Sequence, residues 1–164
     1  MRIVVQKFGG SSLATAELRR EAMQRVWEAL DQGFAPVVVV SAMGRKGDPY
    51  ATDTLLELMR GANPQAQGAN VDLLLSCGEI ISASLFAEGL AALGLPAVAL
   101  TGWQCGITTD DVHLGARVLR VHSDRLWEVL RQGKIPVVAG FQGVTEQGVV
   151  TTLGRGGSDT TAAV

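Results

Sequence analysis

An α/β fold, a three-layer αβα sandwich around a mainly parallel sheet, follows from three features of this sequence. Amphipathic helical stretches alternate with short apolar runs. Those runs are unbroken rather than alternating apolar with polar, the pattern of strands buried on both faces. One word also recurs: residues 27–38, WEALDQGFAPVV, and 127–138, WEVLRQGKIPVV, agree at eight of twelve positions, with a looser copy at 90–100. Each copy reads as helix, glycine, proline and extended run. Gly33, Gly94 and Gly133 are placed to end a helix in the left-handed conformation. Pro36, Pro96 and Pro136 are placed to open an extended segment. Duplication would give such an echo, but so would the punctuation every αβ unit needs.

In chain order, a strand is expected at 2–8 (RIVVQKF) and a helix at 15–32, with Leu18, Ala22, Val26, Ala29 and Leu30 on one stripe. A strand at 36–42 (PVVVVSA) precedes helices at 53–61 and 79–93. Strands follow at 96–102 (PAVALTG) and, more briefly, near 105–109. A helix at 123–132 leads into a strand at 136–141, with a last short strand near 148–153. Such sheets bind ligands just beyond the carboxyl ends of their strands.

Composition narrows the function. The 164 residues suffice for one domain with a real core, and 47% hydrophobic with 18% charged residues is ordinary for a globular chain. A net charge of −2 gives no pull towards nucleic acid or an anionic membrane, and neither is expected as a partner. No apolar run is expected to reach the roughly 20 residues of a membrane span, and MRIVVQKF lacks a signal-peptide layout. Cys77, Cys105 and two histidines form no metal-binding spacing, so no protein-built metal site is expected and the setting reads as reduced and cytoplasmic. His113 and His122 read as surface residues.

Four loops at strand ends carry the candidate chemistry. In KFGGSS, Lys7 closes the first strand, and Gly9, Gly10 and Ser11 form a bend whose N–H groups can approach an anion; a plain strand-to-helix turn would look the same. It is not a Walker loop, because G-x-x-x-x-G-K-[ST] is absent. In SAMGRKGDPYATDTLLEL, Ser41 ends a strand and Thr52 or Asp53 could simply cap a helix. Arg45 and Lys46 could move over a ligand or be solvated. In LLLSCGEIIS, Glu79 stands at the expected start of an apolar helix, where it could serve the helix dipole or bind an ammonium group. In TTLGRGGSDTTAAV, Arg155 lies between glycines, and its planar fork suits a carboxylate or phosphate. Asp159 could cap the last helix or hold a nearby lysine. No nucleophile–base couple is visible. Cations, N–H groups and one carboxylate suit phosphoryl transfer, where a protein mainly positions groups and neutralises charge.

With these loops in this order, the chain resembles the aspartokinases of the amino acid kinase family. The matching words are KFGGSS (7–12), VVVVSAMG (37–44), TDTLLEL (52–58), LLLSCGE (73–79), LTGWQCGITTDD (100–111), PVVAGFQGVT (136–145) and TTLGRGGSDTTA (151–162). SAMGRKGDPYATDTL is most similar to the single-function aspartokinases of Gram-positive bacteria. The resemblance implies the amino acid kinase (carbamate kinase-like) fold and transfer of phosphate from ATP, with Mg2+, to the side-chain carboxylate of L-aspartate. This is the step that opens lysine, threonine, methionine and diaminopimelate biosynthesis. It implies Lys7 and Asp159 as the catalytic pair, with Lys7, Gly9, Gly10 and Ser11 on the nucleotide phosphates. Arg155, with Gly156, Gly157 and Ser158 beside it, would take the α-carboxylate of aspartate. Glu79 would take the α-ammonium, and Ser41 and Thr52 would orient the reacting end.

Two small departures, Cys77 and Ile80, remove no charge from that set. The resemblance also implies a second, nucleotide-binding lobe, ACT regulatory domains and a homo-oligomeric full-length enzyme. Residues 1–164 are therefore expected to be the N-terminal substrate-binding portion of a longer protein, inactive alone. A glutamate kinase of the same fold and a non-catalytic amino acid-binding module remain as alternatives. A dinucleotide-binding domain does not, because KFGGSS supplies no G-x-G-x-x-G.

Overall fold

Two sheets, rather than one, organise the chain. The computed structural model describes residues 1–164. The chain runs β1 (Arg2–Phe8), α1 (Ala16–Asp31), β2 (Phe34–Val40), α2 (Thr52–Ala62), α3 (Ala69–Ala92), β3 (Ala97–Leu100), β4 (Ile107–Thr109), β5 (Val118–Val121), α4 (Asp124–Arg131), β6 (Ile135–Ala139), β7 (Gln142–Val144), β8 (Val150–Thr152) and α5 (Gly157–Ala163). A 3-10 turn at Gly10–Leu13 joins β1 to α1. Thr15 caps α1 by accepting from the Leu18 N–H at 3.3 Å.

The larger sheet is wholly parallel, in the order β1-β2-β6-β3. Its two central strands carry the repeated word and lie side by side, Val38 opposite Val137 and Val39 opposite Val138. The punctuation acts as its chemistry requires: Gly33, Gly94 and Gly133 all have positive φ, at +79°, +79° and +70°. Pro36 pairs only with β1, because the ladder to β6 starts at Val38. Pro136 pairs only with β3, because the ladder to β2 starts at Val137. Each proline thus occupies a strand position where its missing N–H breaks no ladder.

Burial on both faces explains the unbroken valines. Val38 and Val40 enter a core with Met23 and Val26 of α1 and Phe86 and Leu90 of α3. Val37 and Val39 enter a smaller one with Val129 and Leu130 of α4. The three layers are α1 with α3, the parallel sheet, and α4 with α5; α2 packs outside α3.

Three expectations need correction. The short strands near 105–109 and 148–153 exist as β4 and β8, but they belong to a second, mixed sheet ordered β5-β4-β7-β8. Its other members, β5 (VLRV) and β7 (QGV), are broken by arginine, glutamine and glycine and leave no apolar run to read. The helix expected at 79 begins at Ala69. Gly78, which reads as a break, is a packing requirement instead: a Cβ there would lie 2.9 Å from both the Ala42 Cβ and the Tyr50 carbonyl. Finally, α3 is long and apolar enough, by length and composition, to cross a membrane. It nevertheless packs on β3, β6 and β8 and buries Asp72 and Glu79, which is the position of a core helix.

Candidate active site

Beyond the carboxyl ends of β1 and β2 lies an open cleft of about 520 Å³. It gathers side chains from five separate stretches of sequence: Lys7, Ser41, Thr52, Glu79 and the segment from Arg155 to Asp159.

Lys7, next to last in β1, extends its Nζ to Asp159 Oδ1 at 3.0 Å. Asp159 lies in the first turn of α5, whose N-cap is Gly156 without any side-chain cap, so the carboxylate is spent on the lysine rather than on capping. Both groups reach solvent, 29% and 71% exposed, so the pair adds little stability. Its effect is to aim the ammonium group. Thr52 opens α2, but the N-cap is Ala51 and no side chain caps that helix. Thr52 is thus left facing the cleft. Of the two loop cations, Lys46 is tied to Glu57 on α2 at 2.7 Å.

Glu79 does not stand at a strand–loop–helix junction. It lies in the middle of α3 and is 2% exposed. Its Oε1 accepts from the Ala42 N–H at 3.1 Å, while its Oε2 is buried without any partner. Burial drives the carboxyl up to about 8, because the charged form has lost its water. A carboxylate in this position has one oxygen in need of a donor and an open cleft beside it.

Arg155 sits between Gly154 and Gly156, whose φ values of +77° and +71° favour glycine. Its guanidinium is exposed and forms no ion pair within the chain.

The glycine loop divides. A Cβ on Gly9 would lie 3.6 Å from Lys7 Nζ, so the Gly9 backbone borders the lysine head. Gly10 serves packing: a Cβ there would collide with the Ala42 carbonyl and lie 2.8 Å from that of Gly44. Ser11 does not line the cleft. It faces a separate depression of about 460 Å³ with Ser12, Glu21 and Arg25.

Sequence reasoning missed two features. Leu114 and Phe141 also line the cleft, and both hold left-handed backbone, φ +60° and +69°. That conformation costs a non-glycine residue about 1–3 kcal/mol and persists only where the surroundings enforce it. His113, expected at the surface, is partly buried, its side chain 24% exposed, and donates from Nδ1 to Asp72 Oδ2 at 2.6 Å. The available signal was Asp72 itself, one carboxylate in the apolar run VDLLL, which demands a partner.

Fold and cleft together define a class: an α/β domain whose open cleft is lined by a lysine, an arginine and a buried carboxylate. The chain belongs to the amino acid kinase family, whose model matches residues 2–164. It is 52% identical over 163 residues to aspartokinase 1 of Bacillus subtilis, covering 99% of this chain and 40% of that one. It is 48% identical over 163 residues to the aspartokinase of Corynebacterium glutamicum, covering 99% and 38%. Among solved structures it is similar to aspartate kinase from Synechocystis, with a TM-score of 0.78 and 40% identity over 99% of this chain and 26% of that one. It is also similar to E. coli aspartokinase III in complex with aspartate and ADP, with a TM-score of 0.77 and 25% identity over 99% and 46%. The chain spans about two fifths of the length of the curated relatives it matches.

Proposed function

We propose that this cleft binds L-aspartate and that the complete enzyme phosphorylates its side-chain carboxylate with ATP, giving 4-phospho-L-aspartate and ADP. The observation that carries this reading is Glu79, which lines the same cleft as Arg155 and the Lys7–Asp159 pair and whose buried Oε2 has no partner. A free α-amino acid needs one anionic and one cationic partner. Glu79 receives the ammonium and Arg155 the α-carboxylate, bidentately. Ser41 and Thr52, with the backbone of Gly156, Gly157 and Ser158, orient the rest of the ligand.

No general base is needed, because the attacking carboxylate is ionised at neutral pH, its ordinary pKa being about 3.9. One of its oxygens forms the new bond to the γ-phosphorus as the bond to the β–γ bridging oxygen breaks. Lys7, aimed by Asp159, offsets charge on the transferring group, and the Gly9 backbone that borders the lysine head lies beside the phosphates. The chain holds no cluster of three or more metal-ligating side chains. That suits Mg2+ carried mainly by nucleotide phosphates, with Asp159 the accessible carboxylate nearby. When bound, the ion neutralises phosphate charge.

On this reading residues 1–164 are the substrate-binding portion of a longer kinase. Calorimetry on this chain should show uptake of L-aspartate that N-acetylation abolishes and that one added methylene, in L-glutamate, weakens. Equal binding of L-aspartate and N-acetyl-L-aspartate would remove the role of Glu79. A coupled ADP-release assay with ATP and Mg2+ should show no turnover from residues 1–164 alone; normal turnover would refute the division of labour.

A further inference from the structure

Asp72 is fully buried on α3, yet it does not reach the cleft. Its two oxygens bind three groups from two other segments. Oδ1 accepts from Thr152 Oγ1 of β8 at 2.6 Å and from the Leu114 N–H at 3.1 Å. Oδ2 accepts from His113 Nδ1 at 2.6 Å and more weakly from the same Leu114 N–H at 3.3 Å. One carboxylate therefore joins α3, the β4–β5 loop and β8.

Each tethered segment leads to Arg155. Thr152 precedes it by three residues, and the Thr152 carbonyl accepts from the Ala116 N–H at 2.9 Å. Leu114, held left-handed, lines the cleft. Gly154 packs so closely on this loop that a Cβ there would lie 3.3 Å from both the Leu114 carbonyl and the Gly115 Cα. Gly154 in turn accepts the Gly157 N–H at 3.1 Å, which closes the bend carrying Arg155. The guanidinium has no ion pair of its own, so its place depends on the backbone beneath it. That backbone rests on Leu114 and Gly115, and Leu114 is fixed by Asp72.

We propose that Asp72 is a positioning residue for the arginine clamp: through Thr152, His113 and Leu114 it fixes the Gly154–Gly156 bend so that Arg155 meets the ligand's α-carboxylate. The clamp's assignment to an amino acid rests on the function proposed above; the mechanical link does not.

Two measurements on the 164-residue chain test this. In the first, hydrogen exchange of the ligand-free protein compares wild type with Asp72→Asn and with the milder Thr152→Val. The amides of Leu114, Ala116 and Gly157 should exchange about tenfold faster, over and above any change shared with β2 and β6. Acceleration no greater than that of β2 and β6 overturns the proposal, and Thr152→Val decides it if Asp72→Asn does not fold. In the second, calorimetry compares L-aspartate with its α-amide, which lacks the α-carboxylate charge. Asp72→Asn should weaken aspartate about tenfold, leave the α-amide within about twofold, and add nothing to Arg155→Ala. Equal losses for both ligands, or additive losses in the double variant, overturn it. If the wild-type chain takes up no aspartate, the proposed function fails while the exchange result still decides the link.

Discussion

Two carboxylates on α3 meet opposite fates. Asp72 and Glu79 lie seven residues apart, two helical turns and about 10 Å along one face, and both are essentially removed from water. Every oxygen of Asp72 is engaged by a donor of this chain. Glu79 has one oxygen engaged and one orphaned. Burying charge is costly unless it is matched, so the contrast separates the two uses of such a group. A matched carboxylate is part of the framework. The unmatched one beside the cleft is the group that the proposed function gives to the ligand's ammonium.

Substitutions should therefore act with opposite signs. Glu79→Gln is expected to cost aspartate affinity about 100-fold or more, read by calorimetry. The same change should raise thermal stability above pH 8, where an ionised carboxylate otherwise lacks a partner. Asp72→Asn should instead lower stability by about 3 kcal/mol, read by urea denaturation, because it strands buried donors. If both variants shift stability in the same direction, the contrast fails.

Titration sharpens it further. Burial holds the Glu79 carboxyl at about 8, above its ordinary 4.5. The folded chain thus keeps a proton that the unfolded chain has released, and that contribution to stability, full below pH 4.5, is lost as pH rises through 8. A denaturation series should fall by at most about 1.4 kcal/mol per pH unit across this window, and the slope should vanish in Glu79→Gln. Aspartate affinity runs the other way, rising towards pH 8, since an ammonium group pairs with the ionised form. The smallest effect belongs to the exposed pair. Asp159→Asn should change stability by less than about 1 kcal/mol, while phosphoryl transfer by the complete enzyme drops markedly.

The sequence disclosed what is written locally. The words around Gly33 and Gly133 end a helix and start a strand wherever they occur, and β2 and β6 follow from them. The segments bearing Lys7, Glu79 and Arg155 also stand out, each beside a glycine or at a strand end. What stayed hidden depends on distant partners. The first ten residues of α3 read as a leucine run broken by Gly78, and only Ala42 and Tyr50 pressing on that glycine explain it. Of the second sheet, β4 and β8 were legible as short strands, but β5, β7 and their pairing into a sheet of its own were not. The Asp72–His113 contact spans 41 residues and has no motif.

Ala42 is held through both of its peptide groups: the N–H of the first by Glu79, and the carbonyl of the second against the bare Cα of Gly10. A single residue, Ala42, therefore links the carboxylate at one end of the cleft to the turn that follows Lys7. A methyl group at position 10 would act as a wedge against the Ala42 carbonyl, shifting the residue whose N–H Glu79 holds.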